Sequence, residues 1–295
     1  MFLQPGDLPT ISIVVPNYNG GATIEATLKS LIDQQYPKLE ILVVDGGSKD
    51  NSVEIIRKYE DKIAWWVSEK DRGQSHAINK GFARAKGEVL NWLCSDDVLL
   101  PGALRTVGET FADEPDIDVV AGTTIEHHAT GKWPDRIWKP SQELIDILPI
   151  TAPFGQPSCF YRRHLVERRT PPVDETNHYS MDLELWTYFK SVRATWKLIE
   201  MPLSWALHWE QNKTTTGGVK ITYELEEIYK TYVKEKIPLT YWHRILRYPL
   251  ERVRHNHPGL LFGLLYFPYQ CAIIALLSPF YGFKRCRWMN WVVFS

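Results

Sequence analysis

The chain is 295 residues long and nearly neutral, with 34 lysines and arginines against 35 aspartates and glutamates, so its overall balance implies no nucleic-acid partner. A hydrophobic share of 44% supports a sizeable core, enough for one large domain or one domain with an appendage. Cys94, Cys159, Cys271 and Cys286 lie far apart without C-x-x-C or Cys/His ligand spacing, and read as reduced, mostly buried thiols of a cytosolic protein. Residues 1–7 have no basic start and no apolar run, which argues against a signal peptide.

Residues 11–15 form a short β-branched run stopped by Pro16, and 22–34 read as a helix with Ile24, Leu28 and Leu31 at spacings of four and three. Residues 41–44 are apolar throughout, as a parallel strand covered on both faces requires. That strand ends at Asp45, and Gly46-Gly47-Ser48 makes a turn. A helix over 50–59, a strand over 63–67, a helix over 74–85 and a strand over 89–93 follow. This alternation predicts an open α/β fold with a mostly parallel sheet flanked by helices and right-handed crossovers. In such sheets ligands bind outside the carboxyl ends of the strands. Asn17-Tyr18-Asn19, Asp45, Glu69-Lys70-Asp71 and Asp96-Asp97 each follow a strand, so they are expected to converge on one crevice.

Asp96 and Asp97 end an apolar run and repel one another. A divalent cation bridging to a diphosphate suits them, and so does a solvated turn in which they cap a helix. Neither G-x-G-x-x-G nor G-x-x-x-x-G-K-[ST] is present, which removes a dinucleotide fingerprint and a P-loop. Tyr18 can stack on a base or simply cover the sheet end, and Asp45 can accept hydrogen bonds from a base or ribose.

Taken in order, Val14-Val15-Pro16-Asn17-Tyr18-Asn19, the segment 43–52, the segment 69–81 (Glu69-Lys70-Asp71-Arg72-Gly73-Gln74-Ser75-His76 onward) and Ser95-Asp96-Asp97 resemble a family 2 glycosyltransferase with the GT-A fold. The likeness is continuous over about residues 10–120 and sparser up to about residue 216. It implies a Rossmann-like nucleotide-diphospho-sugar transferase with Pro16, Tyr18, Asp45 and Asp71 around the nucleoside, Asp96 nearer the ribose and Asp97 on a Mn²⁺ or Mg²⁺ ion. His76 stands where such proteins often carry an acid.

Residues 117–121 read as a further strand, 133–140 as an edge segment or acceptor-site loop, and 156–163 resemble the family's acceptor-side strand. Arg162 and Arg163 there suit an acceptor phosphate or an ordinary surface. Ser180 caps a helix on which Asp182, Leu185, Trp186 and Phe189 share an inward face while Glu184 points out. Asp182 is either a helix-dipole partner or a general base, and the resemblance puts the base there, with Met181 in place of the usual Glu. His208 resembles the family's histidine that faces metal and diphosphate, with Lys213 and Thr214 holding phosphates or closing a lid. The implied chemistry is a single in-line displacement with inversion.

Residues 221–236 read as a charged amphipathic helix. Residues 258–283 carry no formal charge, are interrupted by Pro268 and Gln270, and have basic flanks. These features predict a hairpin dipping into, or lying on, the cytoplasmic leaflet rather than a span, or helices packed on the protein or on a second copy in a homo-oligomer. The expected organisation is a catalytic domain over 1–216 and a helical membrane-associating region over 217–295, at the cytoplasmic face of the cell membrane. The expected partners are a nucleotide-sugar donor, a lipid-linked or glycan acceptor and the membrane surface. The rival readings are a nucleotidyltransferase, which would want a basic Gly-rich loop where residues 17–21 have no Lys or Arg, and a non-catalytic scaffold of a membrane complex.

Overall fold

The computed structural model describes residues 8–128, 134–208, 219–235, 237–256 and 260–292. The chain divides into two compact units, the first made of residues 1–142, 153–181 and 192–209, the second of residues 143–152, 182–191 and 210–295.

The first unit opens with the expected alternation: β1 (Ile11–Asn17), α1 (Ile24–Ile32), β2 (Leu39–Asp45), α2 (Ser52–Lys58), β3 (Trp65–Ser68), α3 (Gln74–Phe82) and β4 (Val89–Trp92). β3, β2, β1 and β4 lie side by side and parallel. The second half departs from this pattern. β5 (Val98–Leu99), α4 (Ala103–Asp113), β6 (Val119–His128), β7 (Arg136–Trp138), α5 (Gln142–Asp146), β8 (Cys159–Arg162), α6 (His164–Glu167), α7 (Met181–Ser191) and β9 (Trp196–His208) follow. β8 runs antiparallel to both β4 and β6, β6 pairs β9 in parallel, and β5 closes the order antiparallel to β9. The sheet is therefore mixed, and the segment around residues 133–140 contributes an edge strand, β7, paired to β6.

Every residue of β1 is buried, which explains its unbroken apolar pattern. Ile13, Val15, Ile41 and Val43 meet Leu28, Leu31, Leu104, Val107 and Phe111 in one core, each fully buried side chain contributing roughly 1.5–3 kcal/mol. Gly81 lets α3 approach β1 closely, because a β-carbon there would sit 2.4 Å from Val14 Cγ1. That contact fixes the helix whose first turn faces the strand ends.

One buried carboxylate joins those ends. Asn17, Asp45 and Ser68 stand in register across β1, β2 and β3, and Asp45 is fully buried. Its Oδ1 accepts from Asn17 Nδ2 at 2.7 Å and Ser48 Oγ at 2.5 Å. Its Oδ2 accepts from Ser68 Oγ at 2.6 Å and from the backbone N–H groups of Gly47 and Ser48 at 3.1 and 3.0 Å. Burial alone would push the carboxyl up, but the bonds from Ser48, Ser68 and Asn17 outweigh it and hold it below the ordinary carboxylate range.

The second unit is helical. It takes in α5 from residue 143 and α7 from residue 182, then α8 (Val219–Ile228) with a π-helical turn (Tyr229–Val233), α9 (Leu239–Asn256), α10 (Leu260–Tyr281) and α11 (Phe283–Val292). Its core joins Ile147, Ile150, Tyr229, Leu239, Ile273, Leu277 and Met289. The helix expected over 221–236 thus ends earlier, where Lys234 turns left-handed at φ 59°. The expected hairpin within 258–283 is instead one helix, α10, that runs through Pro268, and the turn comes at Gly282, with φ 81°. The boundary expected at residues 216/217 lies outside the described residues.

Removing the Asp45 acceptor leaves several buried donors unpaired, so Asp45→Ala is expected to lose about 1–3 kcal/mol in urea unfolding. Because the folded carboxyl titrates below its unfolded value, its stabilisation is present above about pH 4 and fades as pH falls further. The unfolding midpoint of Asp45→Asn should therefore decline less on acidification than that of the wild type.

Candidate active site

The strand ends converge as expected. Gly46 N–H donates to Asn17 O at 2.8 Å and Glu69 N–H to Asp45 O at 3.0 Å, closing the loops after β1, β2 and β3 against one another. Asp71 lies over Gly46: a β-carbon at Gly46 would come 2.6 Å from Asp71 Oδ2, so only glycine leaves this carboxylate its place. Its other oxygen accepts from Gly73 N–H at 2.8 Å, just before α3 begins. Pro16 is buried in β1 opposite Val44, whereas the neighbouring Tyr18 is 67% exposed and free to lie on a planar ligand. Asp45 already accepts five hydrogen bonds from the protein, so it accepts from a base only by releasing a hydroxyl such as Ser48 or Ser68. Its first task is to hold this edge together.

Gly20 connects this group to the acidic end. A β-carbon at Gly20 would lie 2.2 Å from Asn17 Oδ1 and 2.7 Å from Ser95 Oγ, so Asn17 and the turn after β4 meet across it. In that turn Asp97 N–H donates to Cys94 O at 3.0 Å. One ligand atom each from Cys94, Asp96 and Asp97 falls within a 4.8 Å cluster. Gln74, on the first turn of α3, donates to Cys94 Sγ at 3.1 Å, and Thr27 Oγ1 donates to Asp97 O at 2.8 Å. Asp97 is 8% exposed. Burial, and after it the Asp96 carboxylate, push its carboxyl well above the ordinary range, and only the Leu207 backbone N–H works against them. Buried Asp97 beside half-buried Asp96 offers hard oxygen donors that fit a divalent cation, which would favour the charged form of Asp97.

The Leu207 contact also shows what brings β9 to this place. β5 follows Asp97 directly and pairs with β9 through Val98↔Trp205 and Leu99↔Ser204. The backbone of His208 therefore lies one residue beyond the N–H that binds Asp97. The His208 side chain and the segment carrying Lys213 and Thr214 lie outside the described residues.

Asp182 belongs to the second unit. Burial pushes its carboxyl up to about 6, with a smaller upward push from Glu224 and opposition from the Leu183 backbone N–H, 2.7 Å from Oδ1. A carboxyl poised there serves as a base near neutral pH. The helix differs from expectation at Glu184, which is buried rather than outward and accepts a short hydrogen bond from Tyr232 Oη. Arg162 and Arg163 are held at the opposite edge of the sheet. Arg162 donates to the carbonyls of Ile117 and Phe111 at 2.8 and 3.0 Å, and Arg163 Nε to Gly87 O at 2.7 Å, so the geometry ties both to structure rather than to an acceptor phosphate. The sequence reading missed Cys94, Gln74, Ser48 and Ser68. Only strand register and the turn after β4 reveal them.

Residues 12–170 match glycosyl transferase family 2. An uncharacterized glycosyltransferase of Rickettsia typhi is 26% identical over 233 residues, covering 77% of this chain and 72% of that protein. A Campylobacter jejuni GalNAc(5)-diNAcBac-PP-undecaprenol beta-1,3-glucosyltransferase is 34% identical over 104 residues, 34% of each chain. Among solved structures, Staphylococcus aureus TarS 1–349 superposes with a TM-score of 0.63 at 18% identity, covering 96% of this chain and 90% of its own. A Pyrobaculum calidifontis mannosyltransferase bound to GDP-Man and Mn²⁺ gives 0.61 at 17% identity, covering 98% of this chain and 86% of its own. These two likenesses show a GT-A-type α/β fold. The chain belongs to glycosyl transferase family 2 and is an enzyme of the glycosyltransferase class.

Proposed function

We propose that the protein transfers a sugar from a nucleoside-diphosphate sugar to a hydroxyl of a lipid-linked or cell-surface glycan acceptor, with inversion at the anomeric carbon. The observation that carries this reading is the buried Asp97 beside Asp96 and Cys94, on the same strand edge as Asp45, Asp71 and Tyr18. Two structures of the same fold support it, one of TarS with UDP-GlcNAc and the other of the mannosyltransferase with GDP-Man and Mn²⁺. The Campylobacter relative, whose name gives an undecaprenol-linked glycan, supports the acceptor class.

In this reading Tyr18 lies on the base, Pro16 and Asp71 bound the nucleoside pocket, and Asp45 holds its floor. Asp96 faces the ribose. Asp97, with Cys94 beside it, would hold a divalent cation, and His208 is the further ligand that the sequence resemblance implies. When bound, that cation neutralises the charge of the diphosphate leaving group. Asp182 takes the proton from the acceptor hydroxyl, whose oxygen then attacks the anomeric carbon from the face opposite the diphosphate. A single displacement with one base gives inversion. A lipid-linked acceptor goes with an enzyme at the cytoplasmic face of the membrane, and the apolar, basic-flanked C-terminal helices support a membrane association.

Asp97→Asn is expected to weaken Mn²⁺ binding, titrated by calorimetry in the presence of a nucleoside diphosphate, by at least about tenfold. Binding equal to the wild type would remove Asp97 from the metal site. Nucleoside-diphosphate release should rise with pH through about 6, since the ionised Asp182 carboxylate is the active form. Asp182→Asn, with its circular dichroism unchanged, should lose about 10²–10⁴-fold of the rate and that acid limb.

A further inference from the structure

The second unit carries a helix whose polarity is inverted. Between positions 264 and 283 every exposed residue is apolar or glycine, while Tyr266, Tyr269, Gln270, Ser278 and Tyr281 sit on the half-buried side. Leu264, Phe267, Leu276, Phe280 and Phe283 are 64%, 71%, 58%, 80% and 62% exposed. A water-facing helix places its polar residues outward, so this face is built for an apolar medium. Exposed Tyr241, Ile245 and Tyr248, at spacings of four and three on α9, are further apolar and aromatic groups of the kind found at membrane interfaces.

Charge selects the occupant. From Tyr241 to Arg287 the sequence holds Arg244, Arg247, Arg252, Arg254, Lys284, Arg285 and Arg287 against Glu251; Arg244, Lys284 and Arg285 pair with Glu226, Glu143 and Glu235 from outside this stretch, and the region still keeps an excess of positive charge. Two copies of such a region repel one another, whereas an anionic leaflet attracts it. By length and composition Leu264–Tyr281 could cross a bilayer, at about 27 Å for a straight helix. Its packing opposes that pose. Ile273 and Leu277 are buried against Tyr229 and Leu239, Tyr269 Oη bonds Leu246 O, and Tyr281 Oη donates to Ile237 O at 2.7 Å. Crossing the bilayer would carry these neighbours, with the Arg244–Glu226 and Arg285–Glu235 ion pairs, to hydrocarbon depth.

We infer that α10 lies in the plane of an anionic membrane surface as a monotopic anchor, its outer face in the acyl chains and its inner face on the second unit. The inference deepens the membrane placement proposed above and rests on it. The free thiol of Cys271, exposed midway along the outer face, offers a native reporter.

The full-length protein is floated with phosphatidylglycerol vesicles. A fluorophore is placed at Cys271 in a Cys94→Ser background, and at Leu264→Cys or Phe280→Cys with Cys271→Ser added. Its depth is read by lipids carrying quenchers at defined positions. Flotation with equal, shallow depths at all three positions is expected. A deep Cys271 between shallow ends would overturn the in-plane pose and keep membrane binding, while absence of flotation would overturn the membrane placement itself, most clearly if the protein sediments as a dimer. Phe267→Glu with Phe280→Glu should lower vesicle affinity at least about tenfold while nucleoside-diphosphate binding stays unchanged. Should the cysteine variants fail to fold, flotation of the wild type and of this charged double variant still decides the membrane face.

Discussion

The structure depends on the buried carboxylate of Asp45. Three parallel strands reach the site edge in register, and the oxygens of Asp45 gather donors from the end of each strand and from the turn that follows its own. Such a group is tolerated in the core only because every direction is satisfied; a charge this deep without partners would cost several kcal/mol. The consequence is a rigid floor. Gly46 and Gly20 sit where a side chain would collide with Asp71, Asn17 or Ser95, so the loops on either side of Asp45 press together and meet the acidic turn.

The acidic turn is held differently. Asp45 is charged because hydrogen bonds outweigh burial, whereas Asp97 is pushed toward its neutral form because burial and Asp96 outweigh a single backbone N–H. Two aspartates, one ending a strand and one in the turn beyond a strand, thus have opposite electrostatics, the first satisfied within the protein and the second pushed toward its neutral form. Asp182 stands between these extremes, raised to about 6 by burial, as the proton exchange proposed for it requires.

Much of the first unit was legible because its strands are apolar runs between helices with a clear period. Asp45 ends β2 and Gly73 precedes α3 where turn chemistry dictates, whereas β1, expected to stop at Pro16, runs on to Asn17 because Pro16 still pairs with Val44. The second half was less legible, because the antiparallel insertion of β8 and the long β6–β9 pairing are decided by partners distant in sequence. Glu184 illustrates the limit: helical spacing put it outside, yet Tyr232, far along the chain, supplies the hydroxyl that lets it be buried. Pro268 was expected to break its helix, but packing of Ile273 and Leu277 carries α10 past the missing N–H. The chemistry of the site was readable as residue types. The sulfur of Cys94 beside Asp96 and Asp97 was not, since a turn rather than a periodic element sets that juxtaposition.

The most direct measurement of the proposed transfer is the anomeric configuration of the sugar first released to water from an α-linked nucleoside-diphosphate sugar, followed by proton NMR before mutarotation. A single displacement at this edge predicts the β-anomer, formed by the wild type and absent with Asp97→Asn. Initial release of the α-anomer, or equal release by both proteins, would contradict it.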